Sequence, residues 1–122
     1  MSALRLAVFD MAGTTVVDTG GVVNRTLRDA LAAAGYAAEP AAVNAVMGIP
    51  KPEAIRTLTG AAPQTVASIH ADFVARILRH YREDPSVGPV PGARECFDRL
   101  RAAGILVALD TGFSRDIVDA IV

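Results

Sequence analysis

The sequence predicts an α/β fold in which a parallel sheet is interrupted, after its first strand, by an all-helical insert. Residues 4–9 form a nearly continuous apolar run, which is typical of a strand buried on both faces. Residues 105–109 form a second apolar run, which follows an amphipathic helix and precedes the start of another. Because the stretch between the two runs shows helical spacing, its helices are expected to form a unit of their own beside a doubly wound core.

The individual elements follow from periodicity and from their terminators. We predict, in chain order, a strand over residues 4–9, helices over 23–34, 41–47, 53–58, 63–82 and 92–103, a strand over 105–109, and the start of a helix over 114–122. Pro52 is well placed to open the third helix, and a glycine follows the first, second, third and fifth helices. The buried stripe predicted on the fourth helix is Val66, Ile69, Phe73, Ile77 and Tyr81.

Two breaks divide the chain into domains. Gly20 and Gly21 precede the helical stretch, and residues 84–91, which include three prolines and a glycine, follow it. We therefore expect an α/β core made of residues 1–20 and 89–122, and a helical cap made of residues 21–88.

Composition argues against several classes of function. The 122 residues carry a net charge of -1 without a dense cationic run, which argues against a general nucleic-acid or membrane-surface binder. No apolar run approaches the roughly 18 residues of a membrane span, and the N-terminus is unlike a signal peptide, so a cytoplasmic protein is expected. The single cysteine, Cys96, lies at helical spacing and is expected in the core.

A lone carboxylate, Asp10, ends the first predicted strand and leads into the turn Met-Ala-Gly-Thr-Thr. At the carboxyl end of a parallel strand it would project into the crevice where α/β proteins bind ligands, as a covalent nucleophile, a metal ligand or both. The turn that Gly13 permits could cradle an anion with its N–H groups. An aspartate that only caps the turn explains the same pattern about equally well.

Thr111 and Gly112 follow the second strand and precede a helix. A hydroxyl and free N–H groups at such a point converge on an anion site. Each strand end is a weak signal alone, but the two together, separated by a helical insert, form a much more specific pattern.

With these motifs the sequence resembles the haloacid dehalogenase superfamily. "VFDMAGTT" is similar to its first motif, D-x-x-G-T, "LDTGFS" to its second, and "PVPGARECFDRLRAAGILVALDTG" to the segment that joins a helical cap to the core. The resemblance implies a Rossmann-like core with a C1-type cap inserted after the first strand, and the chain is expected to lack the C-terminal part of that core. It also implies Mg²⁺, with Asp10 attacking phosphorus and binding the metal, and Thr111 with the Gly112 N–H binding the phosphoryl group.

Ala12 departs from the phosphatases of that superfamily, which carry an acid two residues after the nucleophile. An alanine offers a metal only its backbone carbonyl and cannot protonate a leaving group. Here the sequence resembles the phosphonoacetaldehyde hydrolase (phosphonatase) branch, in which "D-x-A-G-T-T" is expected and a cap lysine forms a Schiff base with the aldehyde. That lysine belongs to an "M-G-x-x-K" segment, matched by Met47 through Lys51, the sole lysine of the chain. An exposed turn lysine is the alternative.

The resemblance implies a hydrolase that cleaves the C–P bond of phosphonoacetaldehyde or a related small phosphonate, with Met47 at the substrate. Two departures, Ala54 in place of a histidine and Phe113 in place of a tyrosine, remove proton-handling groups. A phosphatase acting on a small phosphate ester, and an inactive remnant that binds a ligand or partner, are the alternatives. A homodimer through the cap is implied by the resemblance alone.

The two histidines, His70 and His80, lie about three turns apart on the fourth predicted helix, which is too far for a shared metal site. The row formed by Arg76, Arg79 and Arg82 is expected on a solvated helix face, and a row that faces an anionic substrate from the cap is the alternative.

Overall fold

The computed structural model describes residues 4–18 and 20–122. Its elements, in chain order, are β1 (Leu6–Asp10), α1 (Val22–Ala33), α2 (Pro40–Asn44), α3 (Lys51–Thr59), α4 (Pro63–Glu83), α5 (Ala93–Ala102), β2 (Leu106–Asp110) and α6 (Arg115–Ile121). The predicted α/β class and the predicted order of elements are confirmed. The largest difference is at α2, which ends at Asn44 and is followed by turns rather than by a further helical stretch.

The two strands pair in parallel, in a register that runs from Leu6 opposite Leu106 to Asp10 opposite Asp110. Helix α5 covers one face, where the rings of Phe9 and Phe97 meet edge to face with centroids 5.2 Å apart. On the other face the apolar side chains of β1 stay exposed, and Val8 is 57% exposed. The prediction that this strand is buried on both faces is therefore wrong for the described chain, because α5 covers only one face of the sheet.

Contacts between residues divide the chain into two compact units. The first unit, among the described residues, is 4–18 with Pro85–Thr111, and the second unit is Gly20–Asp84 with Gly112–Val122. The sequence placed residues 112–122 with the α/β core, whereas their contacts place them in the second unit. The physical reason is that α6 packs on α4 and buries the side chain of Ile117 completely.

Helix α4 is the centre of the second unit, where α1, α3 and α6 pack around it. Its predicted stripe is confirmed, since Val66, Ile69, Phe73, Ile77 and Tyr81 are all buried. A buried amide on α1 fastens α2, because Asn24 donates to the backbone carbonyl of Pro40 at 3.0 Å and to the Asn44 amide oxygen at 2.6 Å. Among the helices that the structure describes, none is long and apolar enough to cross a membrane.

In the first unit, the segment after β1 runs beside the segment before α5. The Val17 N–H donates to the Gly88 carbonyl and the Val90 N–H to the Thr15 carbonyl, both at 2.9 Å. These bonds flank an antiparallel bridge between Val16 and Pro89. The two connections to the helical segment therefore leave the first unit side by side.

Cys96 is exposed, so the prediction that it lies in the core is wrong. Helix α5 has the predicted amphipathic spacing, but none of its residues is fully buried. Its apolar side faces a sheet of only two strands, which is too narrow to cover the helix.

Candidate active site

The carboxyl end of the two-stranded sheet gathers two carboxylates. Asp10 and Asp110 are register partners at the last position of β1 and β2, and both residues are exposed. The Met11 N–H donates to Oδ1 of Asp10 at 2.9 Å, and the Thr15 hydroxyl donates to the Asp10 backbone carbonyl at 2.9 Å. The carboxylate that was predicted as the nucleophile is thus oriented by its own loop and accessible to a ligand.

The loop that follows Asp10 is closed by its own backbone. The N–H groups of Thr14, Thr15 and Val16 all donate to the Met11 carbonyl, at 3.1, 2.9 and 2.9 Å. The Gly13 N–H donates to the Val16 carbonyl at 2.8 Å, and Gly13 has a φ of 80°. The structure therefore does not support the prediction that the Gly13 amide binds an anion. Glycine is instead needed here for the left-handed backbone conformation of the turn.

The donors near Asp10 fit the metal that the sequence implied. Mg²⁺ is bound in proteins by oxygen, commonly through one or two carboxylates completed by water and substrate phosphate. Asp10 supplies a carboxylate, and the loop bonds use the carbonyls of Met11 and Val16 but not that of Ala12 in the described backbone. Within residues 4–18 and 20–122, no group of three or more histidine, cysteine or acidic side chains is placed to hold a metal ion. Asp10 and the Ala12 carbonyl are thus the predicted ligands that these loop bonds leave available.

Thr111 directly follows β2 and belongs to the first unit together with Asp10 and Ala12. The carboxyl ends of parallel strands lie at one edge of a sheet, so the structure brings these three predicted site residues to the same edge. Of the remaining predicted site residues, Gly13 lies in the first unit, and Met47, Lys51 and Gly112 belong to the second unit.

Lys51 is the first residue of α3 and is only 3% exposed. The alternative of an exposed turn lysine is therefore wrong. Prolines on both sides fix the start of the helix, since Pro50 is its N-cap and Pro52 lies in its first turn. The Lys51 Nζ lies 5.6 Å from the centroid of the Phe113 ring, which meets the Tyr81 ring edge to face at 6.0 Å.

Gly112 packs closely against Ile49, which lies two residues before this lysine. A Cβ at Gly112 would lie 2.6 Å from the backbone oxygen of Ile49, closer than a side chain can approach. The turn that carries Met47 therefore packs directly on the segment that carries Phe113. Met47 itself is half-buried, and its N–H donates to the Asn44 carbonyl at 3.2 Å.

The sequence pattern did not identify two neighbours of Lys51. Phe113 was recognised only as a departure from a motif, because its ring contact joins positions far apart in the chain. His70 was interpreted as an ordinary helix histidine, although it stands beside the buried Ile69 on α4. In the structure, burial lowers the pKa of His70 below its ordinary 6.5, and the positive charge of Lys51 lowers it further.

Comparison with known proteins gives the chain a context. A family model described as haloacid dehalogenase-like hydrolase matches residues 4–122, while no curated protein matches. A hydrolase from Pseudomonas syringae is similar with a TM-score of 0.83 and 15% identity, and the match covers 97% of this chain and 54% of that one. A phosphonoacetaldehyde hydrolase-like protein from Oleispira antarctica has a TM-score of 0.80 and 23% identity, over 97% of this chain and 47% of that one. CbbY from Rhodobacter sphaeroides in complex with phosphate has a TM-score of 0.75 and 22% identity, over 98% of this chain and 56% of that one. At such identities the likeness shows the fold alone, and the chain spans about half the length of each structure.

Proposed function

Because the chain belongs to the haloacid dehalogenase-like hydrolase family, we propose that it is a Mg²⁺-dependent hydrolase that cleaves the C–P bond of phosphonoacetaldehyde or a related small phosphonate. The observation that carries this proposal is the environment of Lys51, the sole lysine of the chain, which is nearly fully buried and faces an aromatic ring. A lysine whose only role were solubility would stand in water. A lysine amine that is shielded from water beside an aromatic ring is suited to Schiff-base chemistry, in which the amine attacks a carbonyl.

On the phosphoryl side, Asp10 is the acceptor. One of its oxygens is held by the Met11 N–H, and the residue stands exposed at the edge of the sheet. Mg²⁺, held by Asp10 and the Ala12 carbonyl, would neutralise part of the phosphoryl charge. The Thr111 hydroxyl and the Gly112 N–H bind the phosphoryl oxygens.

On the carbonyl side, the Lys51 amine adds to the aldehyde, and uptake of a proton with loss of water leaves an iminium. The C–P bond then breaks, its electron pair moves towards the iminium to give an enamine, and the phosphoryl group passes to Asp10. Protonation and hydrolysis of the enamine release the aldehyde and restore Lys51, and water hydrolyses the aspartyl-phosphate. The group that leaves phosphorus is carbon rather than oxygen, so the acid missing at Ala12 is not required.

The substrate class remains broader than phosphonoacetaldehyde itself. Ala54, where the resemblance implies a histidine, is completely buried inside the second unit and carries no proton-handling group. Phe113 contributes a ring to Lys51 but lacks a hydroxyl. A related small phosphonate with a carbonyl two atoms from phosphorus meets the same chemical requirement, because its imine can also accept the C–P electrons.

A phosphatase acting on a small phosphate ester is the second candidate. It is favoured by the likeness of fold to CbbY, whose structure contains phosphate, and it needs Asp10 and Thr111 but not Lys51. An inactive remnant that binds a ligand or partner needs none of these residues for turnover.

Reductive trapping distinguishes the candidates. Protein incubated with phosphonoacetaldehyde and borohydride should gain one alkyl group on Lys51, and peptide mapping separates this site from the N-terminal amine. Phosphate release should be lost in Lys51→Met and Asp10→Asn. If Lys51→Met still releases phosphate from a small ester, the phosphatase would be favoured. If neither substrate is turned over and no adduct forms, the inactive binding remnant would be favoured.

A further inference from the structure

We propose that the Lys51 site also decarboxylates small β-keto acids, and that this activity is independent of Asp10. The inference rests on the Schiff-base lysine of the proposed function but does not require the phosphoryl acceptor, Asp10. An iminium that can accept the electrons of a C–P bond can equally accept those of a C–C bond to a carboxylate. The leaving group in that case is CO2, which needs neither an acceptor carboxylate nor Mg²⁺.

All groups that this activity needs lie in the second unit. Lys51, Tyr81 and Phe113 belong to it, whereas Asp10 and Thr111 belong to the first unit. The ring of Phe113 is held in place from two directions, by its edge-to-face contact with Tyr81 and by the close packing of Gly112 on the Ile49 carbonyl. The lysine and its ring therefore form a site that contains neither Asp10 nor Thr111.

The surroundings of the amine suit the charge changes of the reaction. A cation over an aromatic face is stabilised by the electrons of the ring, and the Lys51 Nζ lies 5.6 Å from the Phe113 centroid. The iminium carries the same positive charge at the same nitrogen. A buried site also favours a step in which the carboxylate charge is consumed, because CO2 needs little solvation.

The step balances with water and protons exchanged with the solvent, and one proton is taken up overall. The Lys51 amine adds to the ketone of a β-keto acid, and uptake of a proton with loss of water gives the iminium. The bond between the α-carbon and the carboxylate breaks, its electron pair moves to the iminium, and CO2 departs. The enamine takes a proton on carbon, and water hydrolyses the resulting imine to a ketone and free Lys51. With acetoacetate the products are acetone and CO2.

Acetoacetate tests the proposal with the 122-residue chain and three variants. Acetone formation by the wild type should exceed that of Lys51→Met by about tenfold or more, since only the wild type has an amine beside the Phe113 ring, whereas both proteins retain the N-terminus. Lys51→Arg keeps the positive charge but cannot form an imine, and it should be as inactive as Lys51→Met. Asp10→Asn should retain the decarboxylation and lose phosphate release from phosphonoacetaldehyde. Circular dichroism checks that each variant is folded.

Four outcomes separate this inference from the proposed function. Acetone formation that depends on Lys51 and survives Asp10→Asn supports the inference, even if phosphonoacetaldehyde is not cleaved. Cleavage of phosphonoacetaldehyde together with an acetoacetate rate equal to that of Lys51→Met overturns the inference alone. Loss of decarboxylation in folded Asp10→Asn overturns the claim of independence. Failure of borohydride to trap acetoacetate or phosphonoacetaldehyde on Lys51 overturns the inference and the Schiff-base part of the proposed function together.

Discussion

The Nζ of Lys51 lies 5.6 Å from the centre of the Phe113 ring, although Lys51 belongs to the segment Gly20–Asp84 of the second unit and Phe113 to its segment Gly112–Val122. Lys51 opens α3, and Phe113 stands two residues before α6. The packing of α3 and α6 on α4 brings them together. The residue that departs from the expected tyrosine is thus the aromatic neighbour of the amine on which the proposed chemistry depends.

Replacing the Phe113 ring should slow imine formation. Phe113→Leu removes the aromatic face beside the Lys51 nitrogen, and a cation–π contact of roughly 1 kcal/mol corresponds to a rate loss of about fivefold. The measurement is the rate of borohydride-trapped adduct with phosphonoacetaldehyde, followed by mass spectrometry. Phe113→Tyr keeps the ring and should retain the rate, so an equal loss in both variants would contradict a role for the aromatic face.

Gly112→Ala should destabilise the protein by about 1–3 kcal/mol, because the new Cβ meets backbone rather than a flexible side chain. That Cβ would lie 2.6 Å from the Ile49 carbonyl oxygen. Urea denaturation measures the change. Gly88→Ala is the matched control, since a Cβ there meets nothing within 4 Å and its φ is not positive, and it should change stability by less than about 0.5 kcal/mol. Equal losses in the two variants would show that the close approach is not what Gly112 provides.

The stability of the protein should fall in mild acid because of His70. Its pKa is lowered in the folded state, first by burial and then by the charge of Lys51. Above the unfolded value of 6.5 the imidazole is neutral in both states and stability is unaffected. As the pH falls below 6.5, the unfolded chain takes up the proton first, so stability is lost until the folded pKa is passed.

His70→Gln, which does not titrate, should therefore show a smaller fall in melting temperature than the wild type between pH 7 and mild acid. His80→Gln leaves His70 in place and is the matched control. His80 lies 3.4 Å from the Asp84 carboxylate, at the other end of α4. An acid-induced fall that disappears in His80→Gln and persists in His70→Gln would assign the effect to the wrong histidine.

Periodicity predicted the helices, and it correctly predicted the buried stripe of α4, which includes Phe73. The buried face of a helix can be predicted because it follows from the spacing of apolar residues along the sequence. It failed for Cys96 and for Val8, since their exposure depends on what covers α5 and the sheet rather than on their own pattern. The motifs indicated Lys51, but its burial and its contact with Phe113 result from tertiary packing. Local sequence carries no signal for a contact of that kind.

Ala12→Asp should convert part of the proposed activity into phosphatase activity. Ala12 occupies the place two residues after Asp10 and is half-buried in the same loop. An acid there can protonate a leaving alkoxide, so hydrolysis of a simple alkyl phosphate should rise by about tenfold or more. Ala12→Asn has nearly the same shape but cannot supply a proton in this way, and it should leave the hydrolysis of that ester unchanged. Phosphate release from ethyl phosphate is the measurement. An equal gain in both variants would show that the shape of the side chain rather than its acidity limits the reaction. If the wild type already hydrolyses ethyl phosphate efficiently, and Lys51→Met does so equally well, the phosphatase would be favoured over the phosphonate hydrolase.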